Sequence, residues 1–184
     1  MNNTAVFAIG RFNPPHIGHE LLIHKVADTA LNHEGSGYIF TTHTHDSQKN
    51  PLKWHEKTYF LEKMFPYTNI VKEENVKGLF DAIAYLGNMG YNHVMLVAGG
   101  DRIGKFRQQI KLDQVKKYGI DKFSVVNAGY RDDNSVGVQR ASSTKQREYV
   151  RNNDFESFAK HLPNLDDSYK RKMFSLIKGR LNDE

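Results

Sequence analysis

The chain predicts an α/β fold with a doubly wound, parallel five-stranded sheet and further helices at the C-terminal end. Three observations carry that expectation. Short apolar runs alternate with amphipathic stretches along most of the sequence. The strongest run, "HVMLVA" at 93–98, is apolar from Val94 on, as a strand buried on both faces is. From about Ser142 onward only helical periodicity remains. Strands alternating with helices argue for a parallel sheet covered on both sides, and right-handed crossovers leave few topologies open.

Residues 4–9, "TAVFAI", predict the first strand, and residues 17–32 the first helix, with Leu21, Leu22, Val26, Ala27, Ala30 and Leu31 at helical spacing. "GYIFTT" (37–42) predicts the second strand. A polar loop, "HTHDSQKNPLK", follows, in which Asn50-Pro51 marks a turn. Residues 54–65 predict a helix and "TNIVK" (68–72) a weak third strand. A helix over 79–89, stopped by Gly90, leads into the strand at 93–98. Residues 101–118 predict one helix, and "KFSVVNA" (122–128) predicts the fifth strand. Residues 1–162 are expected to form the main domain. Residues 163–184, beyond Pro163-Asn164, are expected to form a helical appendage packed on it through Tyr169, Met173, Phe174, Ile177 and Leu181.

Composition bounds the chemistry. A chain of 184 residues, 39% hydrophobic and 26% charged, is long enough to bury a sizeable core. It has no cysteine, which excludes disulfides, thiolate metal sites and cysteine nucleophiles. Its apolar runs are too short to cross a bilayer, and its start lacks the basic flank and apolar length of a signal peptide, so a cytoplasmic protein is expected. A net charge of +5 fits phosphorylated substrates, a nucleic acid, or a soluble surface with surplus lysine.

The chemistry concentrates in "GRFNPPHIGH" (10–19), where the first strand hands over to the first helix. Ligands of open α/β sheets bind beyond the carboxyl ends of the strands. Gly10 ends the strand and allows close backbone approach, while Pro14 and Pro15 stiffen the loop. Gly18 leaves room beside two imidazoles. A helix starting near Ile17 turns its free N–H groups and dipole toward the same spot, favouring an anion. His16 and His19, at i and i+3, project together from the first turn. Backbone donors with two imidazoles suit a triphosphate, whose transfer depends on positioning and charge stabilisation.

"HIGH" (16–19) resembles the H-x-G-H signature of the nucleotidyltransferase superfamily, and "ASSTKQR" (141–147) resembles the I-S-S-T-x-x-R motif of its adenylyltransferases. The order and separation of the two, with a βα pattern between, strengthen the resemblance, which covers roughly residues 4–160. It implies a Rossmann-like domain. It implies that His16 and His19 contact the nucleotide phosphates, His19 being the more important for the transition state, and that Arg147 reaches the polyphosphate with Ser142, Ser143 and Thr144. It places Gly10, Arg11, Phe12, Asn13 and Gly18 around the nucleotide. "AGGDR" (98–102) sits where such folds contact adenosine, so Gly99, Gly100 and Asp101 are carried over as nucleotide-binding; an N-cap role for Asp101 is an equal alternative. Mg²⁺ would accompany ATP. Ala141 stands where the family has Ile, a packing change.

The decapeptide is most similar to that of the archaeal-type nicotinamide mononucleotide adenylyltransferases, and "NPLKWHEK" (50–57) resembles their N-P-F-x-x-x-E-R stretch, with Lys57 in place of arginine. That puts Trp54 and Lys57 near the acceptor, where an indole can stack on a flat ring. His43, in the "HTHD" loop edge, is a candidate contact for substrate phosphate, with His45 beside it.

The function so implied is transfer of AMP from ATP to a phosphate monoester with release of pyrophosphate. Nicotinamide mononucleotide is the first acceptor and phosphopantetheine a weaker one. A cytidylyltransferase using CTP is the alternative enzyme. The alternative from another class is a binding or structural protein that keeps the fold. His24, His33, His55, His93 and His161 are expected to be structural or exposed, and Arg140, Lys145 and Arg151 to be solvated. The basic tail "YKRK" is expected to be a solvated face in preference to a nucleic-acid patch. Self-association stays open.

Overall fold

The computed structural model describes residues 3–129, 141–163 and 165–181; the expectations for Arg140, Asn164 and residues 182–184 fall outside them. The chain divides into two compact units: residues 1–9, 21–40 and 68–131 form one, and residues 10–20, 41–67 and 132–184 the other.

The first unit carries the sheet. Its strands are β1 (Thr4–Gly10), β2 (Ser36–Thr41), β3 (His93–Ala98) and β4 (Lys122–Asn127), in the order β2-β1-β3-β4. β1 pairs parallel with β3, Phe7 opposite Leu96, and β3 parallel with β4, Val97 opposite Val126. The sheet therefore has four strands where five were expected. "TNIVK" contributes a single parallel bridge, Ile39 to Ile70. Only Ile70 and Val71 of that stretch are apolar and buried, and Lys72 to Asn75 run out into solvent, so too little of it can pack for a full ladder to form.

Ala5 and Phe7, Tyr38 and Phe40, and Val94, Leu96 and Ala98 join one core cluster with Ala82, Ile83 and Leu86 of α3 (Leu79–Asn88). The alternate residues Val6, Ala8, Ile39, Met95 and Val97 are also buried, which explains why these strands read as unbroken apolar runs. Helix α1 (His19–Asn32) buries Ile23, Val26, Thr29 and Ala30. Leu21 and Leu31, expected on its packing stripe, are 60% and 78% exposed, because the stripe runs through Ile23 instead.

The helix expected over 101–118 is broken into α4 (Ile103–Gln109), α5 (Leu112–Val115) and a 3₁₀ turn at Lys116–Tyr118. Ile110 turns to extended backbone and is buried, so apolar burial ends α4, and the Gln114 side chain caps the Lys111 N–H to start α5.

The second unit holds α2 (Trp54–Met64), α6 (Ser143–Arg151), α7 (Phe155–Lys160) and α8 (Asp167–Leu181). α8 packs on α6 and α7 and buries Met173, Phe174, Ile177 and Leu181, the stripe read from the sequence. Phe174 meets Phe155 and Phe158 edge-on, each at 5.4 Å between ring centres.

Candidate active site

The decapeptide forms a turn that satisfies its own backbone. Phe12 lies in the left-handed region at φ 45, with its ring buried. A large side chain there stores roughly 1 kcal/mol or more of strain, held by the surrounding bonds. The Asn13 side chain supplies those bonds: Oδ1 accepts the Leu52 N–H at 2.8 Å, and Nδ2 donates to the Leu52 carbonyl at 3.0 Å. A Cβ at Gly10 would stand 3.0 Å from the Phe12 ring, so close backbone approach is what this position requires.

The two imidazoles are locked by the main chain. The Gly18 N–H donates to His16 Nδ1 at 3.0 Å, and the His16 N–H donates to His19 Nδ1 at 3.0 Å. With Nδ1 accepting in both rings, each neutral imidazole carries its proton on Nε2. The rings lie 3.8 Å apart, centre to centre, and Phe12 meets His19 edge-on at 4.6 Å. A Cβ at Gly18 would fall 2.7 Å from His16 Cε1 and 3.1 Å from the Ala141 carbonyl, so only glycine fits.

The sequence predicted free N–H groups at this helix start. Instead, Ile17 N–H donates to the His161 carbonyl at 2.8 Å, His19 N–H to His16, and Glu20 N–H to Ile17. The N–H groups of residues 16–20 are thus all engaged; the His16 ring is buried and His19 is half-buried. His161 itself braces the turn; its ring stacks on Tyr149 at 5.4 Å.

The second motif is fastened to the first. Ser142 caps α6 by accepting the Lys145 N–H at 3.1 Å. The Ser143 hydroxyl donates to the Pro14 carbonyl at 2.9 Å. Arg147, one turn along, is buried and donates to the Asn13 carbonyl at 2.8 Å and to the Thr144 hydroxyl at 3.3 Å. Burial, and then the Arg151 guanidinium beside it, lower its pKa from the usual arginine value, yet arginine stays charged. Among the described residues, the N–H groups of Ser143 and Thr144 have no partner at the positive end of α6. Thr144 is exposed and Ser142 and Ser143 are half-buried. Arg151, expected to be merely solvated, also donates to the Gln48 carbonyl at 3.0 Å.

The loop after β2 and the start of α2 belong to the same unit. His43 stacks on Trp54 with ring centres 4.6 Å apart and 17° between planes, so one face of the indole already has an aromatic neighbour. Asp46 organises the loop: Oδ1 accepts the Gln48, Lys49 and Asn50 N–H groups, and Oδ2 accepts from the Asn50 side chain. These bonds, Asn50 first, hold its carboxyl well below the usual range. The D-x-x-x-N spacing is the sequence signal for these bonds, just before the Asn50-Pro51 turn.

Lys57 differs most from expectation. It has no exposed surface, and its ammonium donates to the Arg11 carbonyl at 2.8 Å and the Thr42 carbonyl at 2.6 Å. Burial, aided by the Arg11 guanidinium, pushes its pKa down to about 8. These two bonds make it a clasp between the histidine loop and the loop after β2. Arg11 itself is exposed.

Gly99, Gly100 and Asp101 lie in the first unit, at the carboxyl end of β3. Gly100 N–H donates to the Gly129 carbonyl at 3.1 Å. Asp101 does not cap α4: Arg102 holds that place, and no side chain caps it. No group of three His, Asp or Glu side chains able to hold a metal occurs among the described residues, and none of the described helices is long and apolar enough to cross a membrane.

No protein-family model and no curated protein sequence matches the chain. Its fold does match solved structures. A Plasmodium falciparum nicotinic acid mononucleotide adenylyltransferase complexed with NaAD superposes with a TM-score of 0.61 at 14% identity, covering 95% of this chain and 98% of that one. The same enzyme complexed with APC gives 0.60 at 13% identity, with the same coverage of both chains. Thermotoga maritima TmcAL gives 0.56 at 11% identity, covering 97% of this chain and 58% of that one. The class this defines is one of fold: an α/β protein sharing the architecture of mononucleotide adenylyltransferases. What such a fold does is decided by its site.

Proposed function

We propose that the chain is an adenylyltransferase that moves AMP from ATP to the phosphate of a pyridine mononucleotide. The observation that carries this proposal is the joining of its two motifs. His16 and His19, each with Nε2–H as donor, sit on a turn whose Asn13 and Pro14 carbonyls are held by Arg147 and Ser143. Imidazoles, a guanidinium and a helix N-terminus assembled in one unit suit several phosphate oxygens at once. The fold likeness to enzymes acting on nicotinic acid mononucleotide supports the acceptor class.

The acceptor phosphate oxygen attacks the α-phosphorus in line. The bond from that phosphorus to the bridging oxygen breaks, and pyrophosphate leaves with the electron pair. His19 Nε2–H donates to a phosphate oxygen as charge grows there, and His16 assists. The α6 N-terminus and Arg147 hold the β- and γ-phosphates. No side chain needs to become covalently attached. These protein groups are donors, which fits phosphate oxygens better than a metal ion; Mg²⁺ would arrive on the triphosphate and neutralise part of its charge. Trp54 and His43 face the acceptor ring and phosphate.

The test is to incubate the protein with ATP and Mg²⁺, plus nicotinic acid mononucleotide or nicotinamide mononucleotide, and to measure pyrophosphate and the dinucleotide. CTP and phosphopantetheine serve as competing arms. Product with one pyridine mononucleotide is expected. Pyrophosphate only with CTP or phosphopantetheine, or none with any pair, overturns the proposal.

A further inference from the structure

Helix α8 is tied along α2 by polar contacts at both ends. Near its start, Tyr169 meets Tyr59 at 6.0 Å between ring centres, with Lys63 over both rings and Lys172 over that of Tyr59. Near its end, the Arg180 guanidinium forms a two-pronged ion pair with Glu56, one prong from Nη2 to Oε1 at 2.5 Å. Residues 56, 59 and 63 share one face of α2, and 169, 172 and 180 fall in reverse order against them.

Arg180 does more than hold two helices together. Its Nη1 also donates to the Pro51 carbonyl at 2.7 Å. Glu56, its partner, accepts the Lys53 N–H at 2.8 Å and so fixes the first turn of α2. Burial pushes the Glu56 carboxyl up, but Arg180 and the Lys53 N–H outweigh it and the net shift is downward. Trp54 is the first residue of that turn, between the two points Arg180 holds. We propose that Arg180 is a positioning residue for the acceptor end of the site: by gripping Pro51 and Glu56 it sets the start of α2 and with it the Trp54–His43 stack. Treating that stack as the acceptor end rests on the function proposed above.

The test uses the full chain with Arg180→Gln and the conservative Arg180→Lys. Trp54 is the sole tryptophan, so its emission reports this place directly. Arg180→Gln is expected to raise the acceptor KM about tenfold with less than a twofold change in the KM for ATP. Trp54 emission should shift to the red. Arg180→Lys should recover part of each effect, and it stands in if the glutamine variant does not fold. Unchanged emission overturns the proposal, as does an equal rise in both KM values, which marks general loosening. If the wild type transfers no AMP, the function falls, and the emission still decides whether Arg180 positions Trp54.

Discussion

The main-chain N–H of His16 donates to Nδ1 of His19 at 3.0 Å, so one nitrogen of His19 serves the turn, and in the proposed function the other serves the ligand. The two roles are separable. In His19→Asn the short amide oxygen can still accept the His16 N–H, but no donor reaches the Nε2 position. Turnover should fall by roughly 10²–10³, the usual effect of removing one transition-state donor. Thermal stability should stay near wild type. His19→Ala should lose as much activity and also destabilise the fold by about 1–3 kcal/mol, because the His16 N–H is left unpaired. Pyrophosphate release and thermal melts measure the two; equal stability of both variants contradicts this division of labour.

Gly18 is where the two motifs meet. A methyl there overlaps the His16 ring and approaches the Ala141 carbonyl. Gly18→Ala should therefore destabilise by roughly 1–3 kcal/mol, as overpacking does, and should displace His16. A denaturant titration of the variant, together with its turnover, tests this. A Gly18→Ala protein as stable and as active as wild type refutes the crowding.

Lys57 makes stability depend on alkaline pH. Its folded pKa is lowered from 10.5 to about 8, so between those values the unfolded chain binds the proton more strongly. Stability from this group therefore rises as pH goes from about 8 to about 10.5, by roughly 3 kcal/mol. Lys57→Met should lack that rise. The readout is the difference in slope between the two proteins in urea titrations across this range. Parallel curves show that Lys57 is not the group.

His93 acts in the opposite pH range. It is buried at the start of β3 beside Thr4, and burial, then Lys122 and His33, lowers its folded pKa below 6.5. The unfolded chain thus takes up the proton first as pH falls. The stability this group contributes is complete above pH 6.5 and declines as pH drops from there toward the folded value. Wild type should lose stability over that interval more steeply than His93→Gln. Guanidinium midpoints at several pH values measure it, and equal slopes refute the assignment.

The legible parts of the site were those written locally. "GRFNPPHIGH" and "ASSTKQR" each place their groups within one turn of chain, so residue types and spacing were enough to propose a phosphate clamp. Lys57 was read as an acceptor contact because its neighbours resemble a motif. Its burial depends on Arg11 and Thr42, 46 and 15 residues away, which spacing cannot report. Of the helix N–H groups expected to be free, that of Ile17 is taken by the distant His161 carbonyl, and the others by ring nitrogens and carbonyls of the turn itself. The third strand failed on a local balance, two buried apolar residues being too few beside the charged run that follows.

The sequence by itself determined the α/β alternation, the apolar stripe of α8, and which residue types stand at the turn after β1, because these follow from periodicity and from short-range chemistry. Only the tertiary structure decided that Arg147 and Ser143 hold the histidine loop, that Lys57 is a clasp, and that Arg180 reaches the start of α2. Each of these is a hydrogen bond between groups far apart in the chain. Its existence depends on packing that brings the partners within about 3 Å, and no property of either residue alone contains that distance.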